Sequence, residues 1–463
     1  MARWHRRAIT LVAAAAAALL AAGGCTAAPR QSSSTKPAAP CRPQPSFDIG
    51  NDLSQRVTTV IQAHDRAGFL ALAAAPAAKT AMALWWDNVS ALGFTTGGLE
   101  PELGPTSAGT LRVKIGLHAD VDPIDDAAKP PTPMAPSTEY LLHVAGVGPG
   151  CKRTVITDWK ALSNAPWDGD QKLYVVKTAH VVTAGEPTMR AEITRISGLA
   201  EKAAVWDFGF FHFANKDRYV NQSGFVLFVP TTDTQAFGWF RAADAKKPKG
   251  WTSDPAAVGG TEFPLAGTQL PPTVKADKLD ALSVGGGRTI ITATGRKGSA
   301  TDTEGLLVHE FLHNLLDPDN IWSYASGTPT PAATSEGAAR WVEAYFRSSP
   351  AAPVKAMSAL KILKPVVLGR PNLFKGRVPT DAEIYGSADL ANYYYDLAAL
   401  TFDWEARGGV GFAIQCVVDA YINGSAGPFG GVVTKVSGST ITFADPHTEE
   451  AKWASWIRAG MPK

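Results

Sequence analysis

Apolar positions along this chain follow two rhythms that replace one another. Between Asp52 and Ala75, Val57, Val60, Ile61, Phe69 and Leu70 recur at roughly helical spacing, and Lys79 to Leu92, with Trp85 and Trp86, predicts a second helix. The rhythm then shortens to two. Thr110 to His118, Thr138 to Val144, Arg153 to Trp159 and Lys172 to Thr178 are alternating or β-rich runs. Gly and Pro clusters such as Lys129-Pro130-Pro131-Thr132-Pro133 separate them. Helices followed by antiparallel strands predict an α+β domain over residues 47–185.

A second domain, residues 186–463, opens on the helix signal Gly185-Glu186-Pro187-Thr188. Ile193, Ile196, Leu199 and Ala203 then share one helical face. Phe225 to Val229, stopped by Pro230, reads as a buried strand, and Arg288 to Thr292 is a further β-branched run. The long helical stretches that follow predict a mostly helical body with a small sheet. The first domain, by its order of helices and strands, resembles the cone-shaped nuclear-transport-factor-like fold. Such a domain binds ligands or packs against a neighbour, and no catalytic constellation lies in it.

The N-terminal 24 residues read as an address. Arg3, Arg6 and Arg7 precede the apolar run Ala8 to Ala22, which is short for a membrane span and has a basic flank. Ala22-Gly23-Gly24-Cys25 resembles the lipobox of bacterial lipoproteins. That resemblance implies cleavage before Cys25, a lipid on Cys25, and an extracytoplasmic protein anchored to the cell membrane; a plain signal peptide with an incidental cysteine is the other reading. Residues 25–46, rich in Ala, Pro, Ser and Thr, have little to bury and predict a flexible tether.

Charge and cysteines narrow the classes further. The formal charge is +2, and −1 once residues 1–24 with their three arginines are set aside, so nothing points to a nucleic-acid partner. An exported chain permits a disulfide, for which Cys41 and Cys151 are the candidates, with Cys416 as a core thiol in an apolar run. No CxxC occurs, which argues against a cysteine zinc site. The acidic stretch His118 to Asp126 lacks EF-hand spacing, and Gly285-Gly286-Gly287 is not followed by Lys-Ser or Lys-Thr, so both predict turns.

The chemistry concentrates in Leu306-Leu307-Val308-His309-Glu310-Phe311-Leu312-His313-Asn314-Leu315-Leu316. Residues four apart share a helix face, so His309 and His313 can aim at one ion. Zinc accepts such ligands tetrahedrally and, at a catalytic site, leaves a position for water. Glu310, beside the first ligand, can take that water's proton. An apolar helix gives His and Glu a buried task. Downstream, Thr334-Ser335-Glu336-Gly337-Ala338-Ala339-Arg340-Trp341-Val342-Glu343 predicts an amphipathic helix with Ser335 as its cap.

That second helix resembles the one in gluzincin peptidases where a Glu-Gly pair opens the helix and the Glu binds zinc. The chain from about Ala203 to Gly460 resembles the gluzincin-type (peptidase-MA-like) domain. The resemblance implies His309, His313 and Glu336 as zinc ligands and Glu310 as general base. Pro379-Thr380-Asp381-Ala382 and Asp389 to Tyr395 resemble a further stretch of that family, from which Tyr394 is taken as the oxyanion donor, with Tyr393 and Tyr395 as neighbours in register. Glu343 is a candidate to orient a ligand histidine, and an exposed helical Glu is the alternative. In such peptidases the substrate lies along an edge strand, here expected at Arg288 to Thr292. The implied activity is peptide-bond hydrolysis on a peptide or protein substrate. The competing class is a non-catalytic zinc-binding envelope lipoprotein that acts as a binding or scaffold module.

Overall fold

The computed structural model describes residues 47–101, 109–121, 138–148, 153–162, 164–215, 222–239, 260–263, 287–316, 331–353, 359–386, 388–408, 429, 434–436, 439–441 and 445–462. The expected signal, tether and all four cysteines lie outside them, as do Asp122 to Asp126, Gly285 and Gly286.

Helix α1 (Phe47–Gln62) buries Leu53, Val57 and Ile61 at four-residue spacing. A turn follows in which His64 takes a φ of 51° and Asp65 accepts a hydrogen bond from the Gly68 amide, opening α2 (Arg66–Leu70). The single helix expected from Asp52 to Ala75 is therefore two, because a left-handed residue and a capping carboxylate interrupt the ladder. Helix α3 (Pro76–Ala91) starts on a proline, whose missing amide is harmless in the first turn, and buries Met82, Trp85 and Trp86.

Four antiparallel strands pair in sequence order: β1 (Phe94–Pro101), β2 (Thr110–Ala119), β3 (Thr138–Val147) and β4 (Arg153–Ala161). The period-two pattern holds. Val113, Ile115, Leu117 and Ala119 of β2, with Tyr140, Leu142 and Val144 of β3, join α1 and α3 in one core. Strand β1 was not foreseen. Its Gly97 allows the close approach of the Gly116 carbonyl, 2.5 Å from where a Cβ would sit.

The next elements are β5 (Tyr174–Lys177), β6 (Val181–Gly185), α4 (Arg190–Asn215), β7 (Phe225–Val229), α5 (Asp233–Gly238), β8 (Gly260–Phe263) and β9 (Arg288–Ile291). Their sheet has the order β5-β6-β7-β9-β8, with β6, β7 and β9 parallel and both outer strands antiparallel. The pleat sends its two faces into different cores. Val181, Phe225, Leu227, Val229 and Ile291 pack with the helices that follow. Val182, Ala184, Val226, Phe228 and Ile290 pack with the first sheet's core. Arg288 reaches across to donate to the Leu117 carbonyl (2.9 Å), with its guanidinium 5.0 Å from the Phe94 ring centre.

Two sequence expectations change here. The run Lys172 to Thr178, grouped with the first domain, supplies β5 of the second sheet. The boundary placed at residue 185 falls on the last residue of β6, whose parallel partner β7 comes after it. The run Arg288 to Thr292 was expected to be an edge strand. Instead β9 is paired on both sides, by β7 and β8, and the outer strand on that side is β8.

The helical layer comprises α6 (Ala300–Leu316), α7 (Ala332–Ser348), α8 (Leu360–Leu368), α9 (Asp381–Ile384) and α10 (Ala388–Glu405). A short hairpin of β10 (Thr434–Val436) and β11 (Ser439–Ile441) precedes α11 (Pro446–Arg458). Helix α6 buries Leu307, Val308, Phe311, Leu312 and Leu315 between α4, α7 and the sheet; Phe311 stacks on Phe225 with ring centres 3.9 Å apart. Helix α7 lies between α6 and α10. Its Gly337 faces Ala398 of α10 so closely that a Cβ would lie 3.0 Å from the Ala398 carbonyl carbon and Cβ. The chain is α+β, as its pattern predicted. Among the described residues, no helix is long and apolar enough to cross a membrane.

Candidate metal centre

His309 and His313 project from one face of α6 toward the first turns of α7, which carry Glu336. That helix starts at Ala332, whose amide is taken by Asp381 Oδ1 at 2.8 Å. Ser335, expected as the cap, sits inside the helix instead. The Nε2 atoms of His309 and His313 are 3.2 Å apart, and Glu336 Oε2 lies 3.3 Å from the first and 3.5 Å from the second. His309 is almost fully buried and the other two side chains are half-buried.

These lengths decide what the group suits. Charge-assisted hydrogen bonds between such groups close to about 2.7–2.9 Å. A tetrahedral ion with bonds of about 2.0–2.1 Å separates its ligand atoms by about 3.3–3.4 Å. The three observed sides match one face of that tetrahedron, so His309, His313 and Glu336 can hold a metal ion. The electrostatics agree. Burial alone would lower the His309 pKa, but hydrogen bonds to Glu336 and Glu343 and the fields of Glu310 and Glu336 push it up to about 10. The pocket thus favours positive charge at this point. For Glu336, burial is outweighed by His313 and His309, which hold its carboxyl well below the usual range.

Glu310 is buried, and burial pushes its carboxyl up to about 7 against the opposing pull of His309 and His313. Glu343 Oε2 stands 3.5 Å from His309 Nδ1, the place expected of a group that orients a ligand histidine. Its other oxygen is held by Arg340 Nη1 (2.8 Å) and Arg347 Nη2 (2.8 Å). Arg347 continues to Asp302 on α6 (2.7 Å), and Arg340 Nε continues to Asp396 on α10 (2.6 Å).

The tyrosine expectation is corrected. Successive helical residues are turned by about 100°, and it is Tyr395 that faces the triad. Its ring centre is 6.1 Å from that of His309, and its hydroxyl lies in the field of Glu336 and Glu310. Burial, then Glu336 and Glu310, hold its pKa well above the ordinary value, so it remains a donor. Tyr394 is buried edge-to-face against Tyr393, with ring centres 5.2 Å apart. A second tyrosine was missed altogether. Tyr385, just after α9, donates to Glu336 Oε1 at 2.9 Å. Arg340 and Arg347 were also missed, although their spacing from Glu336 and Glu343 places all four on one helix face. No family model, curated protein or solved structure matches the chain.

Proposed function

We propose that this chain is a zinc-dependent peptidase of the gluzincin type, exported and held at the cell membrane by a lipid on Cys25. The observation that carries this reading is the triangle of His309 Nε2, His313 Nε2 and Glu336 Oε2, with sides of 3.2–3.5 Å, beside the buried carboxyl of Glu310. Zinc, when bound, lowers the pKa of a water and polarises a carbonyl. Glu310 takes the proton of the attacking water and passes it to the leaving amine. Tyr395 offers its hydroxyl to the oxygen on which charge develops. Glu343, behind His309, fixes the ring of that ligand. Strand β8, antiparallel, outermost on its side of the sheet and packed on α6, offers backbone groups to an extended peptide.

A structural ion has four protein ligands. Among the described residues the group has three members, which favours catalysis over the scaffold reading. The test compares two variants. Glu310→Gln keeps the side chain's size and should retain zinc by elemental analysis. Its chelator-sensitive cleavage of a broad peptide library should fall by about 10²–10⁴-fold. His313→Ala should lose the zinc itself. Full zinc retention in His313→Ala, or full activity in Glu310→Gln, would sink the proposal.

A further inference from the structure

Four charged side chains of α7 recur with alternating sign: Glu336, Arg340, Glu343 and Arg347. At steps of four, three and four residues they form one stripe about 16 Å long. The rest of the helix is largely buried among apolar side chains. Buried charges persist only where each is paired, and this stripe is paired throughout. Its members do not do the same work. Arg347 joins Glu343 to Asp302 on α6, passing over Gly305, where a Cβ would lie 3.0 Å from Nε. Arg340 joins Glu343 to Asp396 on α10.

The Asp396 contact sets Arg340 apart. Asp396 is fully buried, and one of its oxygens has no hydrogen-bond partner among the described residues. Its other oxygen is held at 2.6 Å by Arg340 Nε. Asp396 immediately follows Tyr395, and Glu343 stands behind His309. One guanidinium therefore grips the carboxylate that backs the first ligand and the helical turn that presents the tyrosine. A lysine ammonium lacks the rigid fork that serves both at once.

We infer that Arg340 is a positioning residue that fixes His309 and Tyr395 relative to one another through two carboxylates. The inference rests on the metal-site reading proposed above and adds to it the device that sets the site's geometry. Its removal leaves the three ligands in the chain but frees the ring of His309 and the phase of α10.

Cobalt(II), added alone, serves as a visible probe of the site. Wild type, His313→Ala, Arg340→Lys and Asp396→Asn are titrated with cobalt and competed with a chelator, after circular dichroism has established that each is folded. Wild type should bind with the intense visible band of a four-coordinate ion, and His313→Ala should lose that band. Arg340→Lys should remain folded, bind cobalt about 10–100-fold more weakly, and show a shifted, broadened band. Asp396→Asn should move in the same direction. A folded Arg340→Lys protein with wild-type affinity and spectrum overturns the inference and leaves the metal-site reading standing. If Arg340→Lys does not fold, Asp396→Asn decides: a weakened, shifted cobalt complex supports the role and an unchanged one overturns it. If wild type and His313→Ala bind cobalt alike, the metal-site reading falls, and the inference with it.

Discussion

Gly337, next to the third candidate ligand, offers a sharp test of how the site is held. In an isolated helix, replacing Gly with Ala stabilises by about 1 kcal/mol. Here the added Cβ would meet the Ala398 carbonyl carbon and Cβ at 3.0 Å and the carbonyl oxygen at 3.1 Å. Comfortable carbon contacts begin near 3.5 Å, so α7 and α10 must part by about half an ångström. Overpacking of this kind costs about 1–3 kcal/mol, which offsets or exceeds the propensity gain. Gly337→Ala should therefore leave stability unchanged or lower it by up to about 2 kcal/mol. At about 2–4 °C per kcal/mol for a domain of ~200 residues, and less for a larger one, the melting point falls by a few degrees at most. The larger effect is on metal. Ligand positions tolerate about ±0.2 Å, and Glu336 moves with its neighbour, so zinc affinity should drop at least about tenfold. Thermal melts with and without zinc, plus competition with a chromogenic chelator, measure both. Adding Ala398→Gly removes only one of the three contacts and should restore affinity in part. A Gly337→Ala protein that is about 1 kcal/mol more stable and binds zinc normally would refute backbone contact between these helices.

Three further outcomes follow from other parts of the chain. Asp207, fully buried in α4 with both oxygens unpartnered among the described residues, has its pKa driven well up by burial. The folded state then holds a proton that the unfolded chain releases near pH 4, so this residue costs stability increasingly as pH rises from about 4 through neutrality. Asp207→Asn should gain more in Tm over wild type at pH 8 than at pH 5, and equal shifts at both would contradict this. On β8, proline placed in turn at Thr261 and Glu262 should raise KM at the position whose amide points away from β9, since successive amides face opposite ways; unchanged KM in both folded variants removes β8 from substrate binding. Cys25→Ala should move the protein from membranes to the soluble fraction, and unchanged fractionation argues against a lipid at that residue.

What the sequence disclosed depended on how local the signal was. His309 and His313 are related by one helical turn and were legible from spacing alone, whereas Glu336 was picked out only by the resemblance of its Glu-Gly pair to the gluzincin helix. The strands Thr110 to His118 and Thr138 to Val144 were legible because one face of their sheet is buried and the alternation is clean. Tyr395 was not separable from Tyr394, because three consecutive tyrosines fit any helical phase and only the packing of α10 chooses. Strand β8 is four residues long, Gly-Thr-Glu-Phe, with no periodicity to read. Strands β5 and β6 were grouped with the domain before them because their partner β7 lies beyond a 26-residue helix, and such pairing leaves no local trace. The break between α1 and α2 rests on the backbone of His64, a residue type with only a mild taste for the left-handed region.

The two-faced second sheet is a party wall, and it belongs to neither side alone. Cut the chain after Gly185 and the C-terminal piece loses β5 and β6, while Val226, Phe228 and Ile290 are stripped of their cover. The N-terminal piece keeps two strands whose parallel neighbour has gone. Neither fragment has a finished interior, and each bares a greasy surface with an open strand beside it, which is the recipe for aggregation. The N-terminal part is thus not a detachable attachment to the part that carries the candidate metal centre. Arg288 makes the dependence concrete: it leaves β9, on the approach to α6, and ends on a carbonyl of β2. A chain trimmed to the part that carries His309, His313 and Glu336 is for this reason expected to lose the packing that holds this sheet.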